Sequence, residues 1–210
     1  MRRAQWEELQ REYDENPTEV ERRLYYDLLK ERVPLEDLRV STNPRVLDLG
    51  CGHGVIASAL NSYLGRVPLG KHSGRVSYVG VDEQDFRIRF ARRLHKDHQE
   101  SYKFICTNAA TRLERFLKGE FDVLVAAHPQ TYFGNLWHEI MASAEPFHKR
   151  GGLVIGTFHE QKEMMIFREI IKRKYEVLSH WTNKNPVAYY CPYSEGHFFL
   201  HQYLLLAQKK

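Results

Sequence analysis

Cysteine is scarce in this 210-residue chain: Cys51, Cys106 and Cys191 are widely spaced and odd in number. That excludes a disulfide framework and a CxxC metal site, so no metal is expected. No apolar run approaches the length needed to cross a bilayer. The opening "MRRAQWEELQREYDEN" is too charged for a secretory h-region, and a cytoplasmic address is expected. Long linkers and internal repeats are also missing, which points to one domain over 1–210. Residues 1–43 read as an N-terminal helical extension and 44–210 as an α/β core. Charge of one sign is in short supply: the net charge of +4 is compatible with an anionic partner but does not demand one. What is plentiful is the material of a soluble globular core, 42% hydrophobic and 28% charged residues.

The first forty residues carry helix signals. In "REYDENPTEVERRLYYDLLKERV", Asn16 can cap, Pro17 suits the first helical position and Glu19 stands where a capping-box acid belongs. Val20, Leu24, Tyr25 and Leu28 then recur at helical spacing. After Asn43-Pro44, short apolar runs alternate with amphipathic stretches. The runs "RVLDLG", "RVSYVGVD", "YKFICTN", "FDVLVAAH" and "GLVIGTF" lack strict alternation, as strands buried on both faces do. Between them "VIASALNSYL", "QDFRIRFARRLHKDH", "AATRLERFLKG" and "GNLWHEIMASAEPFHKR" are each able to form a helix. This alternation predicts a parallel sheet with right-handed crossovers. The final runs "YEVLSHW" and "HFFLHQYLLLAQ", with only a loop between them, predict an antiparallel closing pair.

"VLDLGCGHGVIASAL" places Gly50, Gly52 and Gly54 at alternate positions between the first strand and the next helix. Such a turn is where open α/β sheets bind nucleotides. The dinucleotide fingerprint GxGxxG fails, because Val55 stands where its third glycine belongs, and the Gly-Lys-Ser/Thr ending of a P-loop is absent.

The segment from Asp48 to Gly54, an acid followed by GxGxG, resembles motif I of the class I S-adenosylmethionine-dependent methyltransferases. The resemblance continues in order down the chain, over roughly 45–158. "YVGVDEQ" is similar to the family's second strand, ending in Asp82 with Glu83 beside it; "CTNAATRL" resembles the adenine-flanking segment, with Asn108 replacing the usual acid and Ala109 retained. "FDVLVAAH" resembles the fourth strand and "HKRGGLVIGTF" the fifth. The resemblance implies a Rossmann-like, mostly parallel seven-stranded sheet with an antiparallel last strand and helices on both faces, beside the N-terminal helices. It also implies S-adenosylmethionine as cofactor, held by Asp48, Gly50, Cys51, Gly52, Gly54, Asp82, Glu83, Asn108 and Ala109. Asp82 would accept from the two ribose hydroxyls; as a bare residue it could equally cap the next helix. Asp48 could likewise be a fold-stabilising acid.

The implied function is methyl transfer to an acceptor that is a small molecule, an RNA or a protein. The alternative is a catalytically silent cofactor-binding subunit. Because the methyl is already activated, the protein chiefly aligns the acceptor, and a base helps only where the acceptor must lose a proton. The segment after the fourth strand, "AAHPQTYFGNLWH", would sit beside the methyl. It departs from the Asn/Asp-Pro-Pro-Tyr of amino-methylating relatives, so that mechanism does not carry over. His128, Tyr132 and His159 are the catalytic candidates; each histidine is either a base or a neutral imidazole held at a strand end. Tyr189, Tyr190, Tyr193 and His197 are placed to shape an acceptor pocket. Two basic segments, 65–75 and 87–96, bear on RNA: Arg87, Arg89, Arg92, Arg93 and Lys96 share a helix whose apolar side is read as Phe86, Phe90 and Leu94.

Overall fold

The computed structural model describes residues 8, 11–12, 15–33, 43–65, 76–129, 135–183, 187–191 and 196–210, the last two segments up to Leu200 by their backbone course alone. Helix α1 (Pro17–Arg32) starts as its residues dictate: the Asn16 side chain accepts from the Glu19 N–H at 3.3 Å, with Pro17 in the first turn. The reciprocal half of a capping box is not made. The Glu19 carboxylate takes Arg22 instead, and the Asn16 N–H donates to the Glu12 carbonyl at 2.8 Å. Val20, Tyr25, Leu28 and Leu29 are buried and Leu24 is half-buried, so the helical stripe docks along the predicted line with Leu29 added to it.

The core strands are β1 (Arg45–Leu49), β2 (Ser77–Asp82), β3 (Tyr102–Cys106), β4 (Phe121–Ala127), β5 (His148–Phe158) and β6 (Tyr175–Thr182). Their partner helices are α2 (Ala57–Leu64), α3 (Asp85–Leu94), α4 (Leu136–Ala144) and α5 (Gln161–Ile171). Two short strands follow, β7 (Val187–Cys191) and β8 (Gly196–Leu200), and then the last, β9 (Tyr203–Lys209). The seven-stranded sheet runs β3-β2-β1-β4-β5-β9-β6. All its strands are parallel except β9, which pairs antiparallel to both β5 and β6. Successive residues of each strand enter opposite cores: Val46, Val123, Val125 and Ile155 face α1, α2 and α3, while Leu47, Leu124 and Val154 face α4 and α5. The run of apolar residues without alternation is thus explained by burial on both faces.

Three expectations need correction. The stretch "AATRLERFLKG" is not an α-helix: the Asn108 side chain accepts from the Ala110 N–H at 2.8 Å, and its carbonyl takes Thr111 and Arg112, turning the chain before a three-residue 3-10 segment at Leu113–Arg115. "HFFLHQYLLLAQ" is two strands, because His201 bends the chain at φ 48°, and the loop before it holds a separate β7–β8 hairpin. Finally, Phe86, Phe90 and Leu94 are not the buried side of α3. They are 52%, 39% and 42% exposed, and Ile88 and Ala91 face the sheet.

Candidate functional site

The glycine loop leaves β1 and is tied at once to β2, the N–H groups of Gly50 and Cys51 both donating to the Val81 carbonyl at 2.8 and 2.9 Å. Its three glycines have φ of 74°, 53° and 70°, a backbone that side chains rarely adopt. Their reasons then diverge. A Cβ on Gly50 or Gly52 would meet nothing within 4 Å, so these two face open space at the carboxyl ends of the strands. A Cβ on Gly54 would lie 2.7 Å from the Phe104 ring and 3.0 Å from the Ala91 methyl, so the third glycine lets α3 and β3 close under the loop. Cys51 is buried beneath it, against Gly80, where burial pushes its thiol well above the usual range and makes it inert.

Asp82, at the end of β2, accepts from the Gly52 N–H at 3.0 Å and from the Gln84 N–H at 2.8 Å, one on each oxygen. Both readings of the residue therefore have a physical basis: it anchors the turn into α3, and each oxygen keeps a lone pair for a hydroxyl. The Asp48 side chain takes its hydrogen bond from β2 and not from the glycine loop. It is fully buried, accepts from the Tyr78 hydroxyl at 2.5 Å, and its Oδ1 has no partner among the described residues. Burial raises its pKa to about 7, against the lowering effect of the Tyr78 bond and with a further push from the Asp82 charge. Glu83 is exposed, and its carbonyl faces the Cys106 thiol. The Asn108 oxygen is used in its own turn, and Ala109 beside it is half-buried.

His128, at the end of β4, and His159, just past β5, are brought together: their rings stack at 3.8 Å between centroids and 2° between planes. A third imidazole joins them. His201 lies 4.5 Å from His128 on its other face, with the Tyr25 ring of α1 at 4.9 Å beyond. Thr157 of β5 pins both, its carbonyl accepting from the His128 N–H at 2.7 Å and its hydroxyl meeting His201 Nδ1 at 3.1 Å. Two unit charges about 4 Å apart repel by about 4 kcal/mol at an effective dielectric near 20. Since a pKa unit is worth about 1.4 kcal/mol, a second proton on this column is excluded near neutral pH. Burial and the neighbouring rings hold His128 well below the ordinary histidine range, and burial takes His201 down to about 3. Tyr132 lies outside the described residues, as do Tyr193 and the side chains of Tyr189, Tyr190 and His197.

Sequence reasoning took Tyr25 for a stripe residue of α1 alone and did not single out Tyr78, His95 or His201. His95, at the end of α3, places Nε2 2.8 Å from the Gly54 carbonyl and stacks on Phe104, holding the glycine loop from below. The capping position after a basic helix was the one available hint, and His201 sat hidden in what read as a continuous strand.

Of the basic segments, 66–75 lies outside the described residues. On α3, Arg92 donates to the Phe104 carbonyl at 2.8 Å and Arg89 pairs with Asp85 at 3.0 Å, so neither is a free phosphate ligand. A groove of about 550 Å³, with Arg45, Lys103 and Lys118 in its walls, opens at the amino ends of β1 to β4, the edge opposite the glycine loop. Among the described residues no cluster of histidine, cysteine or acids could hold a metal, and no helix is long and apolar enough to cross a membrane.

A family model described as a methyltransferase domain matches residues 41–195. None of the curated proteins matches the chain in sequence. Among solved structures, TrmN from Thermus thermophilus is 18% identical with a TM-score of 0.61, covering 89% of this chain; the chain spans about half, 48%, of its length. An rRNA methylase from Streptococcus thermophilus is 12% identical with a TM-score of 0.56, over 89% of this chain and 94% of its own. Magnesium protoporphyrin IX methyltransferase (ChlM) from Synechocystis PCC 6803, solved with bound SAM, is 12% identical with a TM-score of 0.57, over 92% and 79%. With a glycine loop opening at the carboxyl edge of a 3-2-1-4-5-9-6 sheet and a family match across most of its length, the chain belongs to the class I S-adenosylmethionine-dependent methyltransferases.

Proposed function

We propose that the chain binds S-adenosylmethionine against Gly50, Gly52, Asp48 and Asp82, and that its methyl goes to a small acceptor lying at His128. The observation that carries the cofactor reading is Asp48 Oδ1, a buried carboxylate oxygen with no partner among the described residues. A buried polar atom of this kind is costly unless something completes it, and the cofactor's ammonium is a cation of the right charge. Gly50 and Gly52 fit the group as well, since their missing Cβ atoms would project into open space. Asp82 would take the ribose hydroxyls, and the Asn108 amide nitrogen, not used in its turn, can still donate to adenine.

When bound, the cofactor supplies an electrophilic methyl on a sulfonium. The chain's own residues align the acceptor, exclude water at the carboxyl edge and keep the histidines neutral beside that cation. The names of the structural relatives range from an rRNA methylase to a porphyrin methyltransferase, so the acceptor class rests on the site and not on the fold. A second reading, an RNA acceptor lying across α3, is supported by the exposed Phe86 and Phe90 beside Arg87 and Arg93. Labelled-methyl transfer from S-adenosylmethionine into fractionated metabolite, RNA and protein pools decides. Incorporation into the small-molecule pool is expected. Tight cofactor binding with no incorporation in any pool would favour a silent subunit.

A further inference from the structure

The edge of the sheet opposite the glycine loop carries positive charge that the fold leaves unmatched. The crossover from β3 to β4, which the sequence reads as an α-helix, supplies only the 3-10 segment Leu113–Arg115. Beside its continuation, Phe116 to Lys118, a cavity of about 550 Å³ opens onto the amino ends of β2 and β3. Cavities that hold small molecules run from about 300 to 1,000 Å³. Phe116 stands in the wall of this one and is 41% exposed, so its ring is open to a ligand.

Arg45 is fixed in the same wall by the fold itself. Its guanidinium donates to the carbonyls of Glu120 at 2.8 Å and Lys118 at 2.7 Å, and lies 4.6 Å from the centre of the Phe121 ring. Gly119 permits this approach: its φ is 69°, and a Cβ there would fall 2.7 Å from Nη1. Neutral carbonyls satisfy part of the guanidinium's fork of donors and leave its charge whole. Asp122 meets Arg45 only at the backbone N–H, at 2.8 Å, and gives its other oxygen to Lys149 at 2.7 Å. Lys103 and Lys118 are exposed and form no ion pair among the described residues. Of the residues that line the cavity, three are cations and one, Glu100, is an acid. Ser77 and Gln99 add neutral hydrogen-bonding groups. A concave wall of this sign draws anions to it.

We infer that this cavity is a second ligand site, and that it takes a free aromatic phosphate of the size of a nucleoside monophosphate. A phosphate is a compact anion suited to two lysine point charges and a guanidinium, and each contact is a charge-assisted hydrogen bond. An exposed aromatic ring gives a planar base a stacking surface whatever the base. Ser77 and Asp82 begin and end β2, so a strand's length, roughly 16 Å, separates this cavity from the glycine loop. A mononucleotide held here is therefore not the methyl acceptor of the same chain. Neither the cavity nor its charges depend on the methyltransferase reading.

The test is a calorimetric titration of the full-length protein with AMP under saturating S-adenosylhomocysteine, which keeps the adenine of AMP out of the glycine loop. One equivalent of AMP should bind, with adenosine and inorganic phosphate each weaker by about tenfold or more, since each lacks half of the contacts. Lys103→Glu and Lys118→Glu should each weaken AMP by about tenfold or more. Because both side chains are exposed, the melting temperature and S-adenosylhomocysteine affinity should not move. Phe116→Ala should cost about fivefold or more in AMP affinity, and Phe116→Tyr, which keeps a ring, should restore it. AMP that fails to bind, that S-adenosylhomocysteine displaces, or whose affinity ignores both lysine substitutions would overturn the inference. Adenosine bound as tightly as AMP would do so too, as would a 5′-phosphorylated RNA oligonucleotide bound by a protein that leaves AMP free. If the wild type does not bind S-adenosylhomocysteine, the cofactor reading fails alone. AMP titration of Gly52→Val, with and without Lys103→Glu, then still judges the cavity.

Discussion

The Tyr78 hydroxyl donates to one Asp48 oxygen at 2.5 Å, while the other oxygen is buried without a partner among the described residues. The two residues lie on adjacent parallel strands, so the sheet itself holds the acid in this half-satisfied state beneath the glycine loop. A carboxyl whose pKa is raised to about 7 is largely protonated at mildly acid pH, where it cannot pair with a cation. Affinity for S-adenosylhomocysteine should therefore rise with pH from 5 to 7 and level off above, by up to about tenfold per unit. Asp48→Asn should flatten that slope. Stability runs the other way. The folded pKa lies above the unfolded value, so this group's stabilisation is complete below about pH 4 and lost as pH rises through about 7. The melting temperature of Asp48→Asn relative to wild type should climb over that interval; calorimetry at a series of pH values reads both.

Gly52 and Gly54 should fail in different assays. Gly52→Val puts a branched side chain into the open space above the loop, so cofactor binding should drop beyond detection with a modest fall in melting temperature. Gly54→Ala drives a methyl to within 2.7 Å of the Phe104 ring, and should cost about 1–3 kcal/mol of stability as an overpacked core does. Parallel melts and titrations of the two variants check the separation.

His95→Phe keeps a ring against Phe104 and removes the contact with the Gly54 carbonyl. Losing one such hydrogen bond is worth about 1 kcal/mol, so cofactor affinity should fall about fivefold with the fold intact. An unchanged affinity would make His95 a packing residue only.

The parallel strands and the glycine loop were legible because a strand buried on both faces leaves continuous apolar runs, and no other residue tolerates the loop's dihedrals so readily. The face of α3 was not legible. Phe86, Phe90 and Leu94 make the better apolar row by spacing, yet the sheet takes Ile88 and Ala91, since a small residue at 91 is what allows the close approach to Gly54. His201 was hidden for a related reason: a bend at positive φ usually announces itself as glycine or asparagine, and here a histidine takes it within an apolar run. The stack it makes with His128 and His159 joins three segments distant in sequence, which no local pattern records.

On the second reading, RNA would meet the outward row of α3. Phe86→Ala and Phe90→Ala should then weaken oligonucleotide binding by about 1–3 kcal/mol for each stacked base lost. Arg93→Glu should reduce the salt slope by about 0.7 to 0.9 per phosphate contact. Arg92→Glu should instead lower the melting temperature, because its guanidinium is bound to the Phe104 carbonyl. Filter binding across a salt series distinguishes these outcomes, and affinity indifferent to all three substitutions on the exposed face removes RNA from α3.

Isothermal titration of the full-length protein with S-adenosylmethionine, beside NAD, puts the cofactor assignment to the most direct trial. Wild type should bind one equivalent of S-adenosylmethionine and no NAD, Asp82→Ala should lose about 1.5–3 kcal/mol for each charge-assisted hydrogen bond removed, and Gly52→Val should show no heat. Binding of S-adenosylmethionine by Gly52→Val with near-native affinity would contradict the placement of the cofactor at this loop.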